Sequence, residues 1–281
     1  MTVYKYCVVK NILILGVSGT IGNGLYKILS PYYNVYGTYF NNKDIRNKKK
    51  IFFDSSTTQL QSILKITKPK LIINALKGEQ LDLINVQRNT VDYCMKKDCR
   101  LMFISGVNVF DAFHNYPSCE YDKTLSESVY GKFQITMENH MLKVPFTKKV
   151  IIRSAIVFGV KSKRLKEIDF KVENKIPIEV FPNTIINFAS LYRLTQQIHF
   201  IINHKLSGIF HLGTDNLISH SELIKKIISS RYMTKIIYKR IYSSNEIRYL
   251  ALLSKKNRLP KYLHYTVNQG LEDIKIVSKK I

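Results

Sequence analysis

Three glycines give the first chemical signal. Gly16, Gly19 and Gly22 stand in ILILGVSGTIG, directly after an apolar run and ahead of a helical pattern. The first glycine of such a turn permits a tight reversal after a strand, and the second leaves room for backbone to approach a pyrophosphate. The third lets the following helix pack close to the sheet. The free N–H groups at that helix start then face the anion. The spacing predicts a nucleotide-binding loop made by Gly16, Ser18, Gly19, Thr20, Ile21 and Gly22. A sharp turn that binds nothing would use the same glycines. The position on the first strand of a βαβ unit favours the loop.

The next residues that bear on such a ligand follow the second strand. An Asp or Glu at its tip would hold a ribose hydroxyl and favour NAD. Here the tip reads GTYFNNK, without an acid, and Lys43 and Arg46 lie just beyond. These cations would suit a 2′-phosphate, so the sequence predicts NADP(H) over NAD(H). Solvated loop charges are the plainer alternative. Other candidates carry less. His211 reads as a core histidine in a strand, while His199 and His204 flank a helix end. Cys7, Cys94, Cys99 and Cys119 have no metal-ligand spacing, and reduced thiols in a cytoplasmic protein are the expectation.

These residues need a frame. Strands are predicted at Asn11–Leu15, Val35–Phe40, Ile51–Phe53, Lys70–Ala75, Leu101–Ile104 and Val150–Ile152. Helices are predicted at Leu25–Leu29, Gln59–Ile66, Val86–Lys97 and Tyr130–Leu142. The stretch Asp54–Thr57 reads as a cap for the helix from Gln59. Strands alternating with helices imply a parallel sheet covered on both faces, an α/β doubly wound, Rossmann-like fold. Beyond about Gly159 the pattern loosens. Phe170–Phe181 contains polar and proline-bearing segments, Leu191–Asn203 is a helix, Gly208–Gly213 a strand, and Ser219–Ser230 a helix that Ser219 and Glu222 would cap as a box. The expected organisation is a dinucleotide-binding domain over 1–160 and a smaller substrate lobe over 161–281.

Composition sets limits. The chain has 281 residues, 45% of them hydrophobic, so a full core is available. No apolar run is long enough to cross a bilayer. The opening MTVYKYCVVKNILILG has no small-residue cleavage site and runs into the glycine loop, which predicts a strand and not a signal peptide. The net charge of +24 invites a nucleic-acid reading. The lysines, however, are spread along the sequence, and their densest run, Asn47–Lys50, has no interleaved aromatics. Richness in Lys, Ile, Asn and Tyr is what an AT-rich genome would encode, so general bias is preferred to nucleic-acid binding. A basic surface would still favour anionic ligands.

The order of motifs resembles the dTDP-4-dehydrorhamnose reductase branch of the extended short-chain dehydrogenases. The stretches that carry this are ILILGVSGTIGNGL, IFFDSS, KPKLIINAL, NVQRNT, RLMFISGVNVFD, SVYGKFQITMENHML, VIIRSAIVFG and LSGIFHLGTDNLISHSELIKKI. They run from about residue 11 to about 275. The resemblance implies a nucleotide-linked 4-keto sugar as substrate and NADPH as reductant. It also implies that Asp54, Asn74, Ala75 and Gln134 border the cofactor, that Asn85 does so too, and that Arg153 and Ser154 face substrate. A related branch is a non-catalytic regulatory subunit of methionine adenosyltransferase, so a homodimer or a regulatory partner protein is a further implication.

Family chemistry needs a Ser or Thr, a Tyr, and a Lys four residues after the Tyr, on the same helix face. The Lys holds the nicotinamide ribose and assists the Tyr as an acid, while the hydroxyl orients the carbonyl. Tyr130 matches the catalytic Tyr. Gln134 stands where the Lys belongs, and Lys132 lies about 200° around the helix. SGVNVFD places Gly106 at the hydroxyl position, with Ser105 one residue off and turned the other way. TIINFASLYR replaces the family's acidic PTYVDDLA-like stretch. An unassisted phenol ionises near about 10 and is a weak acid at neutral pH. The sequence therefore leaves two enzyme-fold readings, a reductase with a degraded triad and a non-catalytic NADP- or nucleotide-sugar-binding regulator. A basic nucleic-acid-binding protein on the same fold is disfavoured by the intact glycine loop.

Overall fold

The computed structural model describes residues 11–40, 47–233, 235–242 and 244–275. Lys43, Arg46 and Cys7 lie outside the described residues. Chain contacts divide the molecule into two units. The first comprises 1–105, 132–152 and 195–210, and the second 106–131, 153–194 and 211–281.

The first unit is built on β1 (Asn11–Leu15), β2 (Asn34–Tyr39), β3 (Lys50–Phe52), β4 (Leu71–Asn74) and all but the last one or two residues of β5 (Arg100–Gly106), β6 (Lys149–Ser154) and β11 (Gly208–Leu212). They form one sheet in the order β11-β6-β5-β4-β1-β2-β3. The pairs β1–β2, β1–β4, β2–β3 and β4–β5 are parallel. The order reverses at β1, which is the switch point where doubly wound folds place a ligand. Four of the five residues of β1 and all of β4 are buried, as expected of strands covered on both faces.

Helices α1 (Thr20–Leu29), α2 (Leu60–Thr67), α3 (Leu81–Lys96), α4 (Val129–Met141) and α6 (Leu191–Asn203) cover the sheet. α2 buries Leu60, Ile63, Leu64 and Thr67, the i, i+3, i+4, i+7 stripe of one helix face. α1 stops at Leu29 because Pro31 lacks the N–H that another turn would need. The expected cap for α2 is not formed. Gln59 holds the N-cap position without a side-chain hydrogen bond. Asp54 is spent earlier, where its Oδ1 accepts from the Ser56 N–H at 2.9 Å and from the Ser56 hydroxyl at 2.7 Å.

The second unit takes up the chain after β5, β6 and β11. It holds β7 (Ile156–Phe158), α5 (Lys163–Glu173), β8 (Ile178–Val180), β9 (Thr184–Ile186), β10 (Phe188–Ser190), β12 (Ile218–Ser219), α7 (His220–Ser229), β13 (Tyr238–Arg240), β14 (Arg248–Leu250) and α8 (Val267–Glu272). The stretch Phe170–Phe181, where the pattern loosens, holds the end of α5 and the strand β8. α5 buries Leu165, Ile168 and Val172, three apolar residues hidden among charges. Ser219 accepts from the Glu222 N–H at 3.1 Å, which is the Ser219 half of the box expected at α7.

Candidate active site

The glycine loop joins β1 to α1. Gly16 has φ +90°, a backbone conformation that L side chains rarely adopt. Its N–H donates to the Thr38 hydroxyl at 3.1 Å, and the Val17 N–H donates to the Thr38 carbonyl at 2.8 Å. β2 thus fixes the start of the turn. A Cβ on Gly22 would fall 2.2 Å from the Gly16 carbonyl oxygen, so the helix can pack against the turn only as glycine. Gly19 differs. A Cβ there would meet nothing closer than that same oxygen at 3.4 Å, an ordinary contact. The fold demands glycine at Gly16 and Gly22 but leaves the Gly19 position open. α1 has no side-chain cap and no acid in its first turn. The N–H groups of Thr20 and Ile21 have no partner within the helix, which is the arrangement that receives an anion.

Asn74 and Ala75 follow at the end of β4. Ala75 donates its N–H to the Leu15 carbonyl at 3.0 Å, and its own carbonyl would lie 3.1 Å from a Cβ on Gly16. Asn74 is fully buried and already engaged. Its Nδ2 donates to Gln87 Oε1 at 2.8 Å, and its Oδ1 accepts from the Leu76 N–H at 3.2 Å. Gln87 in turn donates to the Met137 carbonyl at 3.2 Å, so the network links β4, α3 and α4. Asn85 is exposed on α3. The Ser56 hydroxyl and N–H hold the Asp54 carboxyl below the usual carboxylate range.

Helix α4 carries the catalytic candidates. Ser128 opens it, accepting from the Gly131 N–H at 3.0 Å, and Ser128 itself donates to Asp111. Tyr130 is half-buried in the first turn. Four residues on, Gln134 is 1% exposed, and its Oε1 accepts no hydrogen bond from a described residue. Lys132 is exposed. At the end of β5, Gly106 is extended, with φ −149° and ψ 173°. A Cβ on it would meet only Ser154 O at 3.8 Å and Asn108 Oδ1 at 3.9 Å. Ser105 points to α4, where its hydroxyl donates to Glu138 Oε1 at 2.6 Å, with both groups buried.

The family model of the RmlD substrate binding domain matches residues 10–251. The chain belongs to that family. No curated relative matches it. Solved structures share the RmlD-type fold. A dTDP-4-dehydrorhamnose reductase of Clostridium acetobutylicum superposes with a TM-score of 0.71 at 19% identity, over 94% of this chain and 98% of that one. The Bacillus anthracis dTDP-4-dehydrorhamnose reductase, solved with NADP, gives 0.73 at 21% identity over 94% and 97%. The dTDP-glucose 4,6-dehydratase of the same organism, solved with NAD, gives 0.74 at 16% identity over 94% and 95%.

Within this RmlD-type chain, Arg153 and Ser154 are buried at the end of β6. The Arg153 guanidinium lies over the Phe110 ring at 4.9 Å and reaches His211 Nε2 at 3.4 Å. His211 Nδ1 donates to the Leu253 carbonyl at 3.1 Å, which fixes the neutral tautomer. Burial first, and then the Arg153 charge, hold His211 down to about 4. It is a core histidine, as the sequence implied. Glu120 accepts from the Ser254 hydroxyl and from the N–H groups of Lys255 and Lys256. Burial pushes the Glu120 carboxyl up, but the backbone N–H groups of Lys255, Glu120 and Lys256, with His211, outweigh it and hold it below its ordinary value. Sequence reading missed Glu138, Asp111 and Glu120. Only its place one turn after Gln134, on the same helix face, could have flagged Glu138. Among the described residues no group of His, Cys, Asp and Glu could hold a metal ion, and no helix is long and apolar enough to cross a membrane.

Proposed function

We propose that this protein binds NADP(H) at the Gly16–Gly22 loop and acts on a nucleotide-linked keto sugar as a reductase with a reduced acid–base apparatus. The observation that carries this reading is the contrast among the three loop glycines. Gly16 and Gly22 are closed to a side chain by the fold, whereas Gly19 is open yet still glycine beside an uncapped helix start. A bound pyrophosphate explains that third glycine. The buried, unpartnered Oε1 of Gln134 is a second point of fit, since it can accept from a ribose hydroxyl.

The bound dinucleotide would supply hydride-transfer chemistry. The loop N–H groups of Thr20 and Ile21 would hold its pyrophosphate, with Ser18 at the turn and Ala75 and Asp54 bordering the site. NADP(H) is preferred because β2 ends in Thr38 and Tyr39 and runs on into Phe40, without an acid to repel a 2′-phosphate. Tyr130 would give a proton to the substrate oxygen. Gln134 can orient a ribose but carries no charge to assist Tyr130, and Gly106 offers no hydroxyl to the carbonyl. These two absences favour a second reading, a regulator that binds cofactor or nucleotide sugar without turnover.

Purified protein mixed with NADPH and a panel of dTDP- and UDP-4-keto sugars tests both. Slow loss of reduced-nicotinamide absorbance supports the reductase. Tight cofactor binding with no loss on any sugar supports the regulator. Failure to bind either dinucleotide overturns the reductase, and failure to bind the nucleotide sugars as well overturns both.

A further inference from the structure

The lysines that look scattered in the sequence converge in the fold. At the amino ends of the sheet strands, opposite the glycine loop, six short stretches meet: 30–33, 47–50, 65–70, 96–99, 142–149 and 203–207. They contain twelve lysines and one acid, Asp98, in a chain with 44 Lys and Arg against 20 Asp and Glu. Forty-four Lys and Arg spread evenly over 281 residues would place about five in these stretches, so twelve is a concentration that an even bias does not produce.

Contacts within the first unit make this edge continuous. Lys50 lies over the Tyr26 ring at 4.9 Å, and Asn34 donates to Asn11 Oδ1 at 2.9 Å. Lys70 and Lys148 both reach Asp98, at 3.4 and 3.9 Å. Ser207 donates to the Thr147 carbonyl at 2.9 Å, which joins the start of β11 to that of β6. Helix C-termini attract cations, and this accounts for lysines in the last turns of α2 and α3. It does not account for Lys48, Lys49, Lys148 and Lys149, which precede or begin strands.

Large apolar side chains stand among these charges. Tyr32 is 63% exposed, Ile66 72%, Leu142 64% and Phe146 64%. A cavity of about 530 Å³ opens on the same edge, lined by Leu64, Pro69 and Tyr93 together with Lys65, Lys68, Lys70, Lys97 and the acid Asp98. We propose that this edge is a docking surface for an anionic lipid bilayer, with lysines meeting acidic headgroups and Ile66, Leu142 and Phe146 entering the interface. Paired basic and apolar groups are what a membrane surface selects. A nucleic acid would pair the charge with stacking rings, and two of the four exposed side chains are aliphatic.

The test is sedimentation of the full-length protein with vesicles of phosphatidylcholine alone and of phosphatidylcholine mixed with phosphatidylglycerol. Binding to the acidic vesicles only is expected, weakening as salt rises. A lysine near such a surface contributes about fivefold in partitioning, so Lys65→Gln/Lys97→Gln/Lys143→Gln should lose on the order of 100-fold. Leu142→Ser/Phe146→Ser should lose at least about tenfold at constant charge. All five positions are exposed, and an unchanged thermal melt would confirm that each variant is folded. No sedimentation with acidic vesicles would overturn the proposal. So would full binding by the serine variant, or release from vesicles by a single-stranded oligonucleotide of equal charge, which would mark the edge as a nucleic-acid surface.

Discussion

The Ser105 hydroxyl donates to Glu138 Oε1 at 2.6 Å in the interior of the first unit, tying the end of β5 to the middle of α4. This link sets the helix that carries Tyr130 and Gln134 against the strand that ends in Gly106. A buried hydrogen bond contributes about 0.5–1.5 kcal/mol net. Glu138→Ala should therefore lower stability in urea unfolding by that amount, and Glu138→Gln, which keeps an acceptor, by less. Equal losses for the two variants would mean that the acceptor is not what matters.

The loop glycines should separate fold from ligand. Gly22→Ala forces a Cβ to within 2.2 Å of backbone and should destabilise the protein by about 1–3 kcal/mol or more, the scale of overpacking. Gly19→Ala meets only an ordinary contact and should melt like the unmodified protein. Its dinucleotide affinity should nonetheless fall, because the added methyl lies where the pyrophosphate approaches. Fluorescence titration beside a thermal melt checks both. A Gly19→Ala protein with full affinity would remove the reason for that glycine.

The acid limb of stability should depend on His211. An unfolded histidine titrates near about 6.5. The folded ring, buried first and then repelled by Arg153, stays neutral down to about 4. Between those values the unfolded chain binds a proton that the folded chain does not, so stability falls as pH drops through the window. His220, held at about 4 by burial and Arg164, acts in the same sense. His211→Gln should flatten the dependence of melting temperature on pH between about 6.5 and about 4, without abolishing it. An unchanged slope would show that other groups dominate.

How much of this is legible in the sequence depends on length and on charge. β1 at Asn11–Leu15 and α6 at Leu191–Asn203 have the bounds the sequence implies, because a long apolar period ends abruptly at each. β7 to β10 and β12 to β14 have no such signal. Each has two or three residues, too few to show alternation, and their pairing is decided by distant partners such as Arg248 with Thr184. α5 is hidden because its apolar positions stand among eight polar or aromatic neighbours. The glycine loop is legible because its chemistry is local. The Ser105–Glu138 link spans 33 residues, and the basic edge is drawn from six separate stretches, so neither has a sequence signature.

Turnover should respond to restoring the groups that the family chemistry requires. Gly106 is extended and has room for a side chain, since a Cβ there would meet only atoms at 3.8 and 3.9 Å. The position therefore admits the Cβ that a threonine would add. Gln134 sits four residues after Tyr130 on α4, so Gln134→Lys would bring a charge to the Tyr130 face of the helix. If these positions are the missing hydroxyl and lysine, the unmodified protein should bind NADPH yet turn over 4-keto sugars very slowly. The Gly106→Thr/Gln134→Lys protein should gain on the order of 10²–10⁴-fold in kcat, the usual contribution of positioned acid–base groups. Each single change should recover much less, since such residues act as a unit. Adding Tyr130→Phe to the double variant should abolish the gain. Brisk turnover by the unmodified protein that is lost in Tyr130→Phe would show that another group already assists Tyr130. A double variant that binds NADPH and remains inert on every sugar would leave the regulatory reading in its place.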